Sequence, residues 1–368
     1  MSRSIGKQAG RVAVKIAEDL KSRIAAGELP VGQYLPGVRE IGRQNGVSPE
    51  TARRAVKIIE GEHWVRCHPG HGFRVTAMGN DPEAAAPVAF ILSGREQAGG
   101  WSSFGQHLLA AMYRAAESRG WSLLGIGAGG RRREEVVAEI TAARASGLLL
   151  DTADGKLAGE LTRLGVPTVL VEELCPGLDS VTQDNFGGAM RAAEYLVERG
   201  HRRLAWFGNL EATAPSRERW AGALAALRDL DAEIVVQGRL GRDSGESEED
   251  RRRFRQALRG PQGVTGVLIP WWTGAATAAK LAGEEGLAPG SGLEFVAWCP
   301  REQLPEFRAA WPAGDLPATV LWSIDELGDA ALARLAERRE RPEAPAVRVS
   351  VGVELLSAGQ LKEEGESA

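Results

Sequence analysis

The chain has 368 residues, of which 43% are hydrophobic and 26% are charged. These values are ordinary for a soluble globular protein and leave room for two or three domains. No run of about 18 apolar residues occurs, which excludes a transmembrane helix, and the first residues lack the apolar core that a secretory signal needs. We therefore expect a cytoplasmic protein with no membrane partner.

Motifs of metal sites and common enzymes are missing from the sequence. The three cysteines, Cys67, Cys175 and Cys299, lie far apart, and this spacing argues against a disulfide framework or a zinc site. A glycine-rich run at 125–130 follows a predicted strand, but a lone glycine-rich loop is weak evidence for a cofactor, and Walker A, HExxH and GxSxG motifs are absent. We expect no metal site, no cofactor and no enzymatic activity.

Charge is distributed unevenly along the chain. The formal net charge is −4, yet residues 1–78 contain 13 basic and seven acidic residues, so that the remaining 290 carry −10. A basic head joined to an acidic remainder is typical of a separate nucleic-acid-binding module. We expect phosphate groups to attract the head and the remainder to be repelled by them.

Residues 1–77 are predicted to form three short helices and a hairpin. Apolar residues recur every four positions from Val12, and glycines and asparagines punctuate the segments between the periodic stretches. The predicted elements are, in chain order, a helix over 12–26, a helix over 35–45, a helix that starts at Pro49 with Ser48 as its cap, and a hairpin with strands over 64–67 and 73–75.

Residues 12–76 resemble the GntR family of winged helix-turn-helix regulators. The matching residues are, in order, the turn at 27–30, Leu35-Pro36 followed by Arg39-Glu40, Val47-Ser48 followed by Thr51 and Arg53, and the glycine-flanked wing at 70–72. The sequence departs from the family pattern at Gly37, Pro49 and His63, where a serine-like cap, an arginine and a glycine are usual. The resemblance implies a domain that places its third helix in the major groove of DNA.

The DNA-binding prediction falls on exposed polar residues of the second and third helices and of the wing. Arginine and threonine on such a helix can hydrogen-bond phosphates and base edges. The alternatives are a merely solvated basic face for the helix and a solvent-exposed turn residue for His71. The predicted contacts are Arg39, Ser48, Thr51, Arg53, Arg54, His71 and Gly72.

Residues 78–87 have no periodicity and are predicted to be a linker, and 357–368 a disordered tail. Between them, short apolar runs alternate with amphipathic segments, which favours an α/β domain with parallel sheets over 88–356. Its length favours two lobes with a cleft between them. The predicted strands are 88–92, 122–126, 147–150, 168–171, 204–207, 234–236, 264–269 and 294–298.

Residues 88–355 resemble the effector domain of the lactose-repressor/GalR family, which is similar to periplasmic sugar-binding proteins. The matching residues are Asp184-Asn185 with Gly187, the run 199–204, and Ser216, Arg217 and Arg219. The resemblance places Arg219 at a ligand-contacting position, whereas Trp271-Trp272 and Cys299 stand where the family has polar anchors. A GntR-type head on such a domain resembles the architecture of arabinose repressors.

The predicted effector site combines one charged anchor with aromatic platforms near strand ends, where ligands of open α/β sheets bind. For each tryptophan the alternative is packing in the core or between protomers, and for Asp184 it is capping of the following helix. The predicted residues are Trp101, Phe104, Asp184, Arg219, Trp271, Trp272 and Trp298.

These features together favour a ligand-responsive transcriptional repressor that binds operator DNA as a homodimer and responds to a small, sugar-like effector. A first alternative is a regulator whose second domain binds a less polar or aromatic ligand, or serves only in dimerisation. A second is a cytoplasmic solute-binding protein, which the basic head disfavours.

Overall fold

The structure is a computed structural model, and it describes residues 2–30, 32–61, 64–68, 72–75, 86–92, 96–97, 100–151, 154–210, 213–241, 246–259, 263–287, 292–312 and 314–366. The chain divides into two compact units, Met1–Ala86 and Pro87–Ala368. The wing residue His71 and most of the expected linker lie outside the described residues. No described helix is both long enough and apolar enough to cross a membrane.

The first unit is a helix-turn-helix domain with a hairpin. Its elements are α1 (Ser2–Ala25), α2 (Val38–Gln44), α3 (Pro49–Gly61), β1 (Val65–His68) and β2 (Gly72–Val75). The helix α1 starts at Ser2, ten residues before the predicted start at residue 12. The prediction was late because residues 2–11 lack the apolar period that marks the rest of the helix. Ile16, Leu20, Ile41, Val56 and Ile59 lie in the buried core that holds the three helices together.

The turn between α2 and α3 depends on two glycines. Gly46 has a φ of +62°, a conformation that glycine adopts without a steric penalty. At Gly42 a β-carbon would lie 3.0 Å from the carbonyl oxygen of Val47, so the two segments approach too closely for most side chains. This close approach fixes the angle at which α3 leaves the turn.

An isolated β-bridge between Tyr34 and Arg74 joins the residues before α2 to the hairpin. Leu35 N donates to Phe73 O at 2.7 Å and Val75 N donates to Gln33 O at 2.7 Å, so the segment pairs with β2. The hairpin itself has the two strands that the sequence predicted. The extra pairing anchors the hairpin to the helical core.

The second unit has two lobes, each built around a six-stranded sheet. In the first lobe all the strands are parallel, in the order β15-β9-β8-β7-β3-β6. The strands are β3 (Val88–Leu92), β6 (Leu123–Gly127), β7 (Gly147–Asp151), β8 (Thr168–Val171), β9 (Asp179–Gln183) and β15 (Arg348–Val351). The helices of this lobe are α4 (Ser103–Glu117), α5 (Arg133–Ala143), α6 (Gly155–Thr162) and α12 (Ile324–Glu340). A two-stranded ribbon, β4 (Glu96–Gln97) and β5 (Gly100–Trp101), precedes α4.

The sheet of the second lobe has the order β11-β10-β12-β13-β14-β16, and only its last pair, β14 and β16, is antiparallel. The strands are β10 (Arg203–Phe207), β11 (Glu233–Gly238), β12 (Gly266–Leu268), β13 (Glu294–Pro300), β14 (Ala318–Trp322) and β16 (Glu354–Leu356). The helices are α7 (Asn185–Glu198), α8 (Ala214–Arg228), α9 (Glu248–Arg259), α10 (Trp272–Glu284), α11 (Leu304–Ala310) and α13 (Ala358–Glu366).

The chain crosses between the lobes three times among the described residues, at β9 to α7, β14 to α12 and β15 to β16. Two of these crossings lie side by side, since Asp184 N donates to Val351 O at 2.9 Å. In each lobe the carboxyl ends of the parallel strands face the other lobe. This arrangement is the two-lobed α/β fold that the sequence predicted, and it creates a cleft opposite the crossings.

The C-terminal segment corrects one prediction. Residues 357–368 were expected to be disordered, yet the structure contains the helix α13 (Ala358–Glu366). Leu361 is buried in the core of the second lobe, and Arg308 donates to its carbonyl oxygen at 2.5 Å. The sequence did not predict this helix because Leu361 is the only large apolar residue in a polar, acidic segment.

Candidate functional site

The third helix of the first unit presents its polar face to solvent. Its small and apolar residues are buried in the core of that unit, whereas Arg53 and Arg54 are more than half exposed. Both arginines pair with Glu50, which lies one turn before them in the helix. The nitrogen–oxygen distances are 3.4 Å for Arg53 and 3.7 Å for Arg54. Exposed pairs of this kind contribute little stability, so neither arginine is held firmly by its carboxylate partner.

Other predicted DNA-contacting residues lie at the start of α3, on α2 and in the hairpin. The hydroxyl of Ser48 accepts a hydrogen bond from Thr51 N at 3.3 Å and lies 3.0 Å from Thr51 Oγ1, so Ser48 caps the helix as expected. Arg39 is exposed on α2. Gly72 begins β2 with a φ of +98°, which suits a tight turn at the tip of the hairpin.

In the second unit the predicted anchor, Arg219, is engaged by its own chain. Its side chain is 5% exposed. Nε donates to Asn185 Oδ1 at 2.8 Å and Nη1 donates to Pro270 O at 2.5 Å. The guanidinium also lies 4.1 Å from the ring centroid of Trp298. Arg219 therefore ties α8 to the crossing at Asn185 and to the end of β12.

Trp298 is not an open platform in this structure. It is 2% exposed, and its indole nitrogen donates to Gln183 Oε1 at 2.6 Å. The amide nitrogen of Gln183 in turn donates to Glu172 Oε2 at 2.8 Å. Because Gln183 and Glu172 belong to the first lobe and Trp298 to the second, this buried chain of hydrogen bonds joins the lobes beside the crossings.

Asp184 acts as a helix cap. Its carboxylate accepts from Gly187 N at 2.9 Å and lies 3.3 Å from Arg191 Nη2. This is the second of the two roles that the sequence left open. A β-carbon at Gly187 would lie only 2.4 Å from a carboxylate oxygen, so the glycine allows the close cap.

The remaining aromatic residues meet at the cleft. Phe104 of the first lobe and Trp271 of the second contact edge to face, with ring centroids 5.3 Å apart. Trp272 donates from its indole nitrogen to Gln303 Oε1 at 3.2 Å. The side chain of Trp101 lies outside the described residues. The structure thus brings Phe104 and Trp271 together, whereas Trp272 packs against Phe307 with ring centroids 5.9 Å apart.

Sequence reasoning missed several polar residues of the cleft, among them Gln183, Gln303 and Glu306. Another is Glu173, two residues after the end of β8. Burial raises the pKa of the Glu173 carboxyl group above its usual value, against the opposing effects of Leu174 N and of Arg217 3.6 Å away. A single glutamate or glutamine carries no periodic signal, whether it lies in a strand, a helix or a loop, so the sequence alone does not place these residues at the cleft.

Two cavities differ in what they offer a ligand. A cavity of about 10 Å³, space for one water molecule, lies between Arg219, Trp298 and Trp206. A groove of about 470 Å³ lies at the opposite edge of the second lobe, beside Tyr195, Arg199, His201 and Glu294. There Tyr195, Arg199 and His201 all hydrogen-bond Glu294. This pairing engages all three side chains with the same carboxylate.

Comparisons with known families agree with this geometry. Residues 12–75 match the family described as bacterial regulatory proteins, gntR family. Residues 97–237 match the periplasmic binding proteins and sugar binding domain of the LacI family. Residues 12–75 thus form a GntR-type domain, and residues 97–237 belong to a LacI-type sugar-binding domain, as the sequence predicted.

Individual relatives support the two halves separately. Over 65 residues, 18% of this chain, the head is 42% identical to an uncharacterized HTH-type transcriptional regulator, YieP, of Escherichia coli strain K12. The matched stretch spans only 28% of that relative.

Solved structures support the fold of the second unit. A lac repressor dimer bound to operator and the anti-inducer ONPF is 18% identical, with a TM-score of 0.63 over 74% of this chain and 93% of that one. A complex of the regulator CelR with cellobiose is 19% identical, with a TM-score of 0.62 over 88% of this chain and 98% of that one.

Proposed function

We propose that the protein is a DNA-binding transcriptional repressor that acts as a homodimer and responds to a small effector in the cleft between its lobes. The observation that carries this proposal is the joining, in one chain, of a GntR-type helix with an exposed basic face and a two-lobed LacI-type domain. A conformational change in the second unit then changes DNA affinity, because the effector binds the two conformations with different affinities.

DNA recognition is assigned to α3 and the hairpin. Arg53 and Arg54 are exposed and loosely paired, and the partially buried Thr51 lies next to them. Arg39 of α2 and the wing residues His71 and Gly72 would contact the phosphate backbone or the minor groove. Two half-sites on DNA require a two-fold axis, and the second unit would supply the dimer contact.

The effector is proposed to be a small ring-shaped molecule of the sugar class. Phe104, Trp271 and Trp272 offer apolar faces, and the nearby groups Ser103, Gln303 and Glu306 offer the hydrogen-bonding groups that hydroxyls require. The cellobiose bound to the structurally similar CelR supports this class. A cytoplasmic solute-binding protein fits poorly, because such a role leaves the GntR-type head without a purpose.

A less polar effector is the second candidate. It is favoured by Arg219 and Trp298, whose polar groups are already satisfied within the chain. Trp271, Trp272 and the buried Cys299 also stand where related sequences carry polar anchors. The tests can also show that the second unit serves only in dimerisation.

The test begins with retention of genomic DNA fragments by the full chain between 50 and 200 mM salt. Each neutralised phosphate contributes about −0.9 to the log–log slope of affinity against salt, so binding should weaken steeply. Retained fragments are then titrated with sugars, polyols and aromatic metabolites. Release or tighter retention by a sugar supports the first candidate, and a response to aromatic compounds alone supports the second. Failure to retain any fragment overturns the proposal.

A further inference from the structure

A cluster of polar side chains closes the cleft on the side of α4, and we call Ser103, Trp272, Gln303 and Glu306 the mouth cluster. Ser103 Oγ donates to Glu306 Oε2 at 2.7 Å. Gln303 Nε2 donates to Ser103 Oγ at 2.9 Å, and Gln303 Oε1 accepts from Trp272 at 3.2 Å. The hydroxyl of Ser103 is therefore both a donor and an acceptor within the cluster.

The mouth cluster joins the two lobes. Ser103 is the first residue of α4 in the first lobe, whereas the other three members belong to α10, α11 and the 3₁₀ turn before α11 in the second lobe. The helix α4 does not need the hydroxyl of Ser103, because Ser102 supplies the capping oxygen to Gly105 N at 3.1 Å. The Ser103 hydroxyl is thus available for contacts across the cleft.

Burial favours the closed arrangement. Gln303 is 1% exposed, so both ends of its amide need partners within the protein, and Ser103 of the opposite lobe is one of them. Beside it, Phe104 is buried and contacts Trp271 edge to face. An opened cleft would expose these rings to water and replace the inter-lobe hydrogen bonds with bonds to water.

We propose that the mouth cluster acts as a latch, a set of side-chain contacts that stabilises the closed arrangement of the two lobes of the effector domain. An effector that enters from this side must displace Ser103 from Gln303 and Glu306, and it therefore acts by opening the cleft. Only the effect of opening on DNA binding rests on the proposed function. The contact between the lobes is a property of the second unit and does not depend on it.

Hydrogen exchange of the full chain, without effector, tests the latch. We compare Ser103→Ala with Ser118→Ala, in which the same substitution at the other end of α4 removes a hydroxyl that donates to Ala115 O within the helix. Ser103→Ala should speed exchange threefold or more in peptides over 271–275 and 301–307 of the second lobe. Ser118→Ala should leave those peptides unchanged.

A double substitution tests whether Ser103 and Glu306 act through the same contact or each loosen only their own lobe. Glu306→Ala should speed exchange in the α4 peptide 103–108, across the cleft. The Ser103→Ala/Glu306→Ala protein should exchange less than additively faster than the two single variants, because both changes remove the same Ser103–Glu306 hydrogen bond. Additive effects, or Ser103→Ala peptides that match the wild type, would overturn the proposal. Absence of DNA binding by the wild type would refute the proposed function and leave the exchange result standing.

Discussion

The two units use their arginines in opposite ways. On α3 of the head, Arg53 and Arg54 are exposed and share one exposed carboxylate. In the effector domain, Arg219 is buried and directs two hydrogen bonds to its own chain. The head therefore presents its charges for a partner, whereas the effector domain uses comparable charges to connect its own elements.

This difference bears on how each of the two proposed binding sites would work. A partner of the head gains contacts at small cost, because exposed ion pairs contribute little. A ligand of the effector domain must instead replace internal hydrogen bonds that are buried and satisfied. Substitutions in the two units should therefore differ in whether they change stability or binding.

The largest effect is expected at Asp179, a 1% exposed carboxylate of β9. Arg338 donates to it at 2.7 and 3.0 Å, and Val347 N donates at 2.7 Å. Asp179→Asn leaves buried arginines without their counter-charge, which should cost about 3–5 kcal/mol of the free energy of unfolding. Urea denaturation at neutral pH measures the loss. A cost below about 1 kcal/mol would show that the charge contributes nothing.

The same carboxylate makes stability depend on pH. Burial by itself would raise the pKa of Asp179, but the hydrogen bonds from Arg338 and Val347 N outweigh it and lower the pKa below the usual 3.8. Its contribution is therefore complete above pH 3.8 and is lost as the pH falls through the lowered pKa. The wild type and Asp179→Asn should converge in stability as the medium becomes more acidic.

Arg219→Ala tests whether the buried arginine is a structural tie or a ligand anchor. Loss of two hydrogen bonds from a charged donor should cost about 2–3 kcal/mol of stability without any ligand. The control is Arg228→Ala on the same helix, where the arginine is exposed and pairs with its neighbour Asp229; we expect a change below about 0.5 kcal/mol. Thermal melts compare the two. An Arg219 variant as stable as the control would favour a role in ligand binding.

Arg53→Ala should leave stability unchanged and weaken DNA binding. A bidentate arginine–guanine contact contributes about 1–3 kcal/mol of discrimination, so affinity for a retained genomic site should fall about tenfold or more while affinity for random DNA falls less. The control is Arg43→Ala. Arg43 is exposed on α2, but it donates two hydrogen bonds to the carboxylate of Glu40. Equal losses on both DNAs would make Arg53 a phosphate contact.

Much of the fold was predictable because its signals are local. Apolar runs marked eight strands of the two lobes, and Ser48 marked the start of α3. The strand β9 was missed because four of its five residues are polar, although all five are buried. Its polar groups find distant partners, such as Arg338 for Asp179 and Glu172 for Gln183. No local pattern reveals such pairing.

The sequence predicted that the candidate effector residues lie near strand ends, but it did not predict their contacts. Arg219, Trp271 and Trp298 do meet near the ends of parallel strands, as the fold resemblance implied. That the guanidinium covers the face of Trp298 follows from tertiary packing alone. The mouth cluster was not foreseen, because Ser103 and Glu306 are 203 positions apart and neither lies in a recognisable motif.

The smallest effect is expected for Glu50→Gln on α3. Glu50 lies within 3.7 Å of Arg54 and 3.4 Å of Arg53, and it places a negative charge beside the proposed phosphate and base contacts. Its removal should raise DNA affinity by a few-fold or less, because an exposed pair contributes about 0.2–1 kcal/mol, and the gain should shrink at high salt as screening increases. Binding titrations at 50 and 200 mM salt measure both. Glu60→Gln, which removes a carboxylate that pairs with Lys57 two turns further along, is the control. Weaker binding by Glu50→Gln would mean that the carboxylate itself contacts a base.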